Sequence, residues 1–140
     1  MEQEKLFDLE IISPDRIFYR GRAFMVELNT SEGEIGVYKN HIPLTTILRP
    51  GIVVITEAEG KREAAIHAGF MEILPEKVTI LAEEAEWPDE IDLNRAQEAK
   101  VRAERRIQTN DPNINLARAQ IALRKALVRI ELADHVSDQR

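Results

Sequence analysis

The chain has 140 residues, a net charge of −6 at neutral pH, a pI near 5.2 and no cysteine. Disulfides, thiolate metal sites and a cysteine nucleophile are thereby excluded, and the acidic balance disfavours nucleic acid as a partner. The longest apolar run, Ile52-Val53-Val54-Ile55, is far shorter than the roughly 20 residues of a membrane-spanning helix, and the acidic start of the chain has no apolar stretch of a signal peptide behind it.

Taken in order, residues 6–12 read as a first strand, stopped by the turn Ser13-Pro14-Asp15. A second is expected at 23–28, ending in Asn29-Thr30-Ser31-Glu32-Gly33. Others are expected at 36–38, 45–48, 51–56, 63–68, 70–74 and 77–82, separated by Arg49-Pro50-Gly51, Glu57-Ala58-Glu59-Gly60 and Pro75-Glu76. Short strands at close spacing, with no helical period between them, predict a sandwich or flattened barrel. Residues 83–90 form an acidic connector in which Pro88 blocks smooth passage from strand to helix, and Trp87 is expected to be a packing anchor between the two parts.

Beyond residue 87 there is no glycine, and Ala, Leu, Arg and Glu recur at helical spacing. Asp92 is a good N-cap for a helix to about residue 108; Pro112, within Thr109-Asn110-Asp111-Pro112-Asn113, forces a break; a second helix is expected over 115–133, followed by a frayed tail. Leu116, Ala119, Leu123, Ala126, Ile130 and Ala133 alternate spacings of three and four, a heptad seam, and Leu93, Ala96, Ala99, Ala103 and Ile107 offer a matching face. The predicted class is α+β: an N-terminal antiparallel β-sandwich or flattened barrel over 1–87, then a C-terminal antiparallel two-helix hairpin over 88–140.

Charge divides along the same line, because residues 1–90 hold 18 acidic and 9 basic side chains whereas 91–140 hold 7 and 10. Arg95, Arg102 and Arg106 repeat the spacing of Arg118, Lys125 and Arg129. In an antiparallel pair with facing seams, the two trios fall on one side of the hairpin. Exposed arginines on helices are ordinarily just solvated. The duplicated spacing instead suits an anion: nucleotide phosphates, an acidic protein loop or, least favoured, a nucleic acid. No phosphate-loop or nucleophile-elbow motif occurs, and His41, His67 and His135 have no metal-ligand spacing. Neither catalytic residues nor a metal site are expected; the acidic connector lacks the pattern of a calcium loop.

Ser31-Glu32-Gly33-Glu34-Ile35-Gly36-Val37-Tyr38-Lys39-Asn40-His41-Ile42-Pro43-Leu44 resembles the Gly-x-Leu-Gly-Ile-x-Pro-Gly-His-x-Pro-Leu segment of the epsilon subunit of bacterial F-type ATP synthases, with Lys39-Asn40 in place of Pro-Gly. Ala68-Gly69-Phe70-Met71-Glu72, Val78-Thr79-Ile80-Leu81-Ala82 and Ile91-Asp92-x-x-Arg95-Ala96 follow in that family's order, so the similarity covers nearly the whole chain. The resemblance implies a non-catalytic central-stalk subunit of a proton-translocating enzyme, peripheral on the cytoplasmic face of the bacterial plasma membrane and without a required cofactor. Its implied partners are the gamma subunit, the c-subunit ring and the alpha/beta head, with membrane contact only through the complex. The hairpin is implied to move between a folded and an extended position, the latter impeding ATP hydrolysis. The implied ATP contacts are Glu86, Ile91, Asp92, Arg95, Ala96, Arg102, Lys125 and Arg129, with Lys125 where nucleotide-binding members carry arginine. Glu32, Glu34 and His41 are the implied stalk contacts. The residues alone leave one alternative, a free-standing sandwich adaptor whose basic hairpin binds an acidic protein.

Overall fold

The computed structural model describes residues 2–138. The chain divides into two compact units, Met1–Glu86 and Trp87–Arg140. After a 3₁₀ turn at Glu2–Lys5, the first unit contains β1 (Phe7–Ser13), β2 (Arg16–Ala23), β3 (Met25–Thr30), β4 (Gly33–Tyr38), β5 (Leu44–Leu48), β6 (Gly51–Glu57), β7 (Gly60–Ile73) and β8 (Lys77–Glu86). The strand order is β2-β1-β8-β7-β5-β3-β4, with β6 joining β3 to β7.

Alternation of apolar residues builds the core. Along β1, Phe7, Leu9 and Ile11 point inward, as do Met71 and Ile73 on β7 and Val78 and Ile80 on β8. Each such side chain contributes about 1.5–3 kcal/mol by leaving water.

β7 organises the unit. Its first half pairs with β6, from Gly60 opposite Glu57 to Ile66 opposite Gly51, and its second half pairs with β5, from Gly69 opposite Leu48 to Ile73 opposite Leu44. Along its other edge β8 runs beside it from Ala65 to Ile73. The bend falls between those halves, where Ala68 and Gly69 have φ of 66° and 134°. The interruption expected near residue 69 is therefore a kink inside one continuous strand. Ala64, Ala65, Ile66 and His67 just before it are all buried. A run buried on both faces is what a strand shows where it crosses between two layers.

Two other expectations change. β2 falls where no strand was expected, because Arg16, Arg20 and Arg22 mask the pattern; it is a sheet edge, where charged side chains are tolerated and useful. Nor is the sheet wholly antiparallel: β1 and β8 pair in parallel, Asp8 opposite Lys77 through Ile12 opposite Leu81. Only a long-range closure of the two chain ends of the unit can produce that pairing, and no local pattern encodes it. Tyr19 of β2 ties this edge to β6 by donating its hydroxyl to Glu57 Oε2 at 2.7 Å, with Arg62 over its ring at 5.6 Å. Burial and that hydrogen bond raise the phenol far above its ordinary range, so it stays a donor.

The second unit begins with a 3₁₀ turn at Pro88–Glu90, followed by α1 (Leu93–Gln108) and α2 (Leu116–Asp138). The second helix continues five residues past the expected end at 133, and the last two residues of the tail expected to fray, 139–140, lie outside the described residues. The helices pack on Ala96, Ala103, Ala119 and Ala126, all buried, and the short 109–115 link makes them a hairpin. Leu116, the expected first seam residue, is exposed, while Val128 and Leu132, off the seam, are buried.

Gly69 cannot carry a side chain, since a Cβ there would collide with the Leu81 backbone oxygen and φ of 134° is unfavourable for any L-residue. Gly69→Ala should destabilise the β unit by about 2–3 kcal/mol, checked by urea unfolding followed through far-UV circular dichroism. A loss below about 0.5 kcal/mol would show that the kink tolerates a side chain.

Candidate functional site

Three surfaces carry the residues of interest. The first is the β3–β4 turn. Thr30, buried, donates its hydroxyl to the Gly33 oxygen at 2.8 Å and accepts the Glu32 amide at 3.1 Å. Gly33, at φ of 120°, completes a tight reversal that leaves Glu32 and Glu34 exposed on either side of it. Downstream, Asn40 takes φ of 65° where the family pattern has glycine, a region asparagine enters more readily than most residues. Its amide donates to the Pro75 oxygen at 2.7 Å, anchoring the loop, and His41 Nδ1 lies 2.9 Å from the Ile42 oxygen. His41 is thus locally satisfied and half-buried, beside Ile42, which is 78% exposed.

The second surface was not foreseen. On the outward side of the sheet, Ile47 stands opposite Phe70, Phe70 opposite Leu81, Leu81 opposite Ile12 and Ile12 opposite Ile17. These residues form one apolar row crossing β5, β7, β8, β1 and β2, and all but Ile12 are more than half exposed. A polar row flanks it: Thr45, Glu72, Thr79, Glu10 and Arg20 are likewise mutual neighbours, with Glu10 and Arg20 paired at 3.2 Å. A contiguous apolar strip beside a polar margin marks a protein-binding face far better than isolated exposed side chains do. Outward parity in the sequence, Phe70 between Gly69 and Met71 for example, was the one available signal. Without the pairing of the five strands it could not be assembled.

On β3, β4 and β6 lies a groove of about 510 Å³ whose lining includes Met25, Glu27, Glu34, Tyr38 and Val54. Gly36 opens it, having no side chain where neighbouring positions would fill the space.

The third surface is the hairpin. Asp92 caps α1, its Oδ1 accepting the Arg95 amide at 3.1 Å; Asn115 does the same for α2 through the Arg118 amide at 3.1 Å. Arg95, Arg102, Arg106 and Arg118 are exposed, whereas Lys125 and Arg129 are half-buried and engaged with other groups. Ala96 is buried in the packing of the hairpin, and Ile91 is half-buried between the 3₁₀ turn and α1. Seven of the eight residues expected to contact nucleotide therefore belong to the helical unit. Glu86 ends β8 in the other, with Oε1 3.2 Å from Nε2 of His67. Among the described residues no group of three or more His, Cys, Asp or Glu is placed to hold a metal, and no helix is long and apolar enough to cross a membrane.

An eight-stranded sandwich-like unit followed by a two-helix unit is the two-part architecture of the chain. Family models for the ATP synthase delta/epsilon chain match both parts, the beta-sandwich domain over residues 6–88 and the long alpha-helix domain over 89–134. The chain is 43% identical over 131 residues to the ATP synthase epsilon chain of Caldanaerobacter subterraneus subsp. tengcongensis, covering 93% of this chain and 95% of that one. It is 39% identical to the ATP synthase epsilon chain of Natranaerobius thermophilus, covering 92% and 93%. A chain in the Euglena gracilis mitochondrial ATP synthase, solved as OSCP/F1/c-ring, superposes with a TM-score of 0.81 at 26% identity, over 94% of this chain and 82% of that chain. The chain belongs to the delta/epsilon family of ATP synthase subunits, and within it to the epsilon chains, the non-catalytic stalk subunits.

The cap at Asp92 has a measurable weight. Asp92→Ala should cost about 1 kcal/mol by leaving the Arg95 amide without its partner, seen as a lower thermal midpoint of the helical circular dichroism signal. An unchanged midpoint would mean that Asp92 is held for another purpose than capping.

Proposed function

We propose that the chain joins the central stalk of a proton-translocating F-type ATP synthase at the cytoplasmic face of a bacterial plasma membrane. In this reading the β unit binds the gamma subunit and the c-subunit ring, and the helical hairpin restrains ATP hydrolysis at the alpha/beta head. The observation that carries the docking half is the apolar row Ile47–Phe70–Leu81–Ile12–Ile17, a surface too apolar to be left in water by a chain with no further role for it. A stalk subunit that must transmit torque needs a broad, rigid contact, and a row laid across five hydrogen-bonded strands offers one. We assign the row to gamma and the exposed Glu32–Glu34 turn to the polar loops of the c ring, with His41 in the segment adjoining gamma.

ATP acts as the regulatory ligand of the hairpin in this reading. Arg95, Arg102, Lys125 and Arg129 supply cations to the phosphates, and Asp92, Ile91 and Ala96 lie around the start of α1, where its first amides emerge. Lys125 brings charge without the two-pronged donor geometry of an arginine, which weakens the grip. Ligand at ~100 times its dissociation constant stabilises the bound state by about 2.7 kcal/mol. Moving a population from 1:99 to 99:1 takes about 5.5 kcal/mol. ATP therefore biases the hairpin rather than locking it.

The docking half is tested with Phe70→Glu combined with Leu81→Glu. Both side chains are already exposed, so the variant should fold normally while its affinity for epsilon-depleted enzyme, read by surface plasmon resonance, drops at least about 100-fold, in line with loss of a central interface anchor. Normal binding by the folded variant would remove the row from the interface.

The nucleotide half is tested by isothermal titration of the intact subunit with ATP. One site is expected, weakened about tenfold or more by Arg95→Ala and by Arg129→Ala, as for loss of a charge-assisted contact. No heat at millimolar ATP would leave the basic residues to an acidic protein loop.

A further inference from the structure

We infer that β4 is a docking edge to which an extended, basic segment of another protein adds as a further strand, its cationic side chains lying in the groove over β3, β4 and β6. β4 pairs with β3 alone, so among the described residues its other side meets no strand. The two ends of the strand order differ. β2, at one end, carries Arg16, Arg20 and Arg22, the kind of charged guard that keeps an edge from pairing with other chains. β4, at the other end, reads Gly-Glu-Ile-Gly-Val-Tyr, with no lysine, arginine or proline.

The register decides which backbone groups of β4 are open. Asn29 on β3 gives its carbonyl oxygen to the Arg49 amide at 3.2 Å, on the side away from β4. Asn29 and its partner Glu34 are therefore a pair that exchanges no backbone hydrogen bonds, and such pairs alternate with bonded ones along an antiparallel ladder. Glu34, Gly36 and Tyr38 accordingly turn their amides outward, roughly 7 Å apart. The Tyr38 oxygen is taken up by the His41 amide at 3.3 Å, which ends the open stretch.

The same three residues face the groove. Paired residues share a face, so Tyr38 stands beside Met25, Gly36 beside Glu27 and Glu34 beside Asn29, with Val54 of β6 beyond Glu27. Main-chain donors and a side-chain groove thus lie together, the arrangement by which an added strand is recognised. Charge selects the occupant. Glu27 and Glu34 line the groove, no lysine or arginine does, and among the described residues neither carboxylate has an ion-pair partner. Tyr38, 59% exposed, offers a ring face to a cation, and Met25 and Val54 suit the aliphatic stem of an arginine. A second copy of β4 would instead bring four carboxylates together, so the chain itself is a poor occupant. The edge lies outside the apolar row assigned to gamma, which crosses other strands. Glu27 and Gly36, which have no part in the proposed stalk contacts, separate this site from the Glu32–Glu34 turn.

NMR titration of the ¹⁵N-labelled full chain tests this, with the acetylated and amidated peptide Arg-Val-Arg-Val-Arg as the probe. Saturating shifts are expected at the Glu34, Gly36 and Tyr38 amides, with hydrogen exchange at Gly36 slowed at least about tenfold. The same peptide N-methylated at every residue keeps its charge but cannot donate to the ladder, and should bind at least about tenfold more weakly, as should Glu-Val-Glu-Val-Glu. In the protein, Gly36→Leu fills the groove and Glu27→Gln removes a charge, each weakening the peptide about tenfold. A Cβ at Gly36 meets Met25 Sδ and Glu27 Cγ at 3.7 and 3.9 Å, ordinary contact, so the variant should fold. If Gly36→Leu fails to fold, Glu27→Gln decides. No shift at millimolar peptide overturns the proposal. So does equal binding of the N-methylated peptide, which would mean charge alone, or binding that the folded variants leave unchanged. Protection of the β4 amides that grows with protein concentration in the absence of peptide also overturns it, by assigning the edge to a second copy.

Discussion

At Ala68 and Gly69 the longest strand takes two consecutive residues into positive φ while keeping its register with β8 on either side, His67 opposite Glu84 and Gly69 opposite Ala82. That local constraint lets a single 14-residue strand pair with β6 in its first half and β5 in its second. β5 and β6 can then follow one another along the same edge, with Arg49 and Pro50 stepping over the bend. The closed core, the burial of residues 64–67 and the outward row through Phe70 all depend on it. Gly69 is the residue that makes this geometry sterically accessible, because the Leu81 carbonyl occupies the space a side chain would need.

The two units are held together internally by very different means. The β unit buries Phe7, Leu9, Ile11, Ile55, Met71, Ile73 and Ile80 almost completely, whereas the hairpin closes mainly on alanines. A buried methyl contributes about 0.8 kcal/mol and a Leu or Ile side chain about 1.5–3 kcal/mol. A helix pair stitched by alanines packs closely but weakly, and elements of low local stability are the ones drawn on for movement. The sandwich has the opposite character, a stiff platform suited to bearing a constant contact. The proposed division of labour between a docking unit and a regulatory arm matches this division of packing energy.

Several polar groups act on their own stretch of chain: Thr30 shapes the turn between Glu32 and Glu34, Asn40 takes the left-handed conformation, and Asp92 and Asn115 cap the two helices. Tyr19 instead reaches across the fold to brace an edge strand through Glu57. Among the described residues Thr56 and His67 differ, since the Thr56 hydroxyl and both nitrogens of the His67 ring are buried without a hydrogen-bond partner.

By itself the sequence determined the class, an all-β unit and then a helical hairpin, because turn residues, period-two alternation and heptad spacing are local properties of the chain. It determined the cap at Asp92 and the break at Pro112 for the same reason, and the ordered segments around Gly33, Gly69 and Arg95 carried the family resemblance. Tertiary structure alone decided the rest. β2 is a strand because an edge tolerates the arginines that hide its alternation, and β1 pairs in parallel with β8 because the two ends of the unit meet across most of its length. The apolar row arises because register aligns Ile47, Phe70, Leu81, Ile12 and Ile17 from five strands, although no two of these residues are closer than five positions in the chain. The same long-range pairing placed Glu86 beside His67, nineteen residues earlier. Local chemistry is written residue by residue, whereas a surface or a buried pair exists only once distant strands have chosen their register.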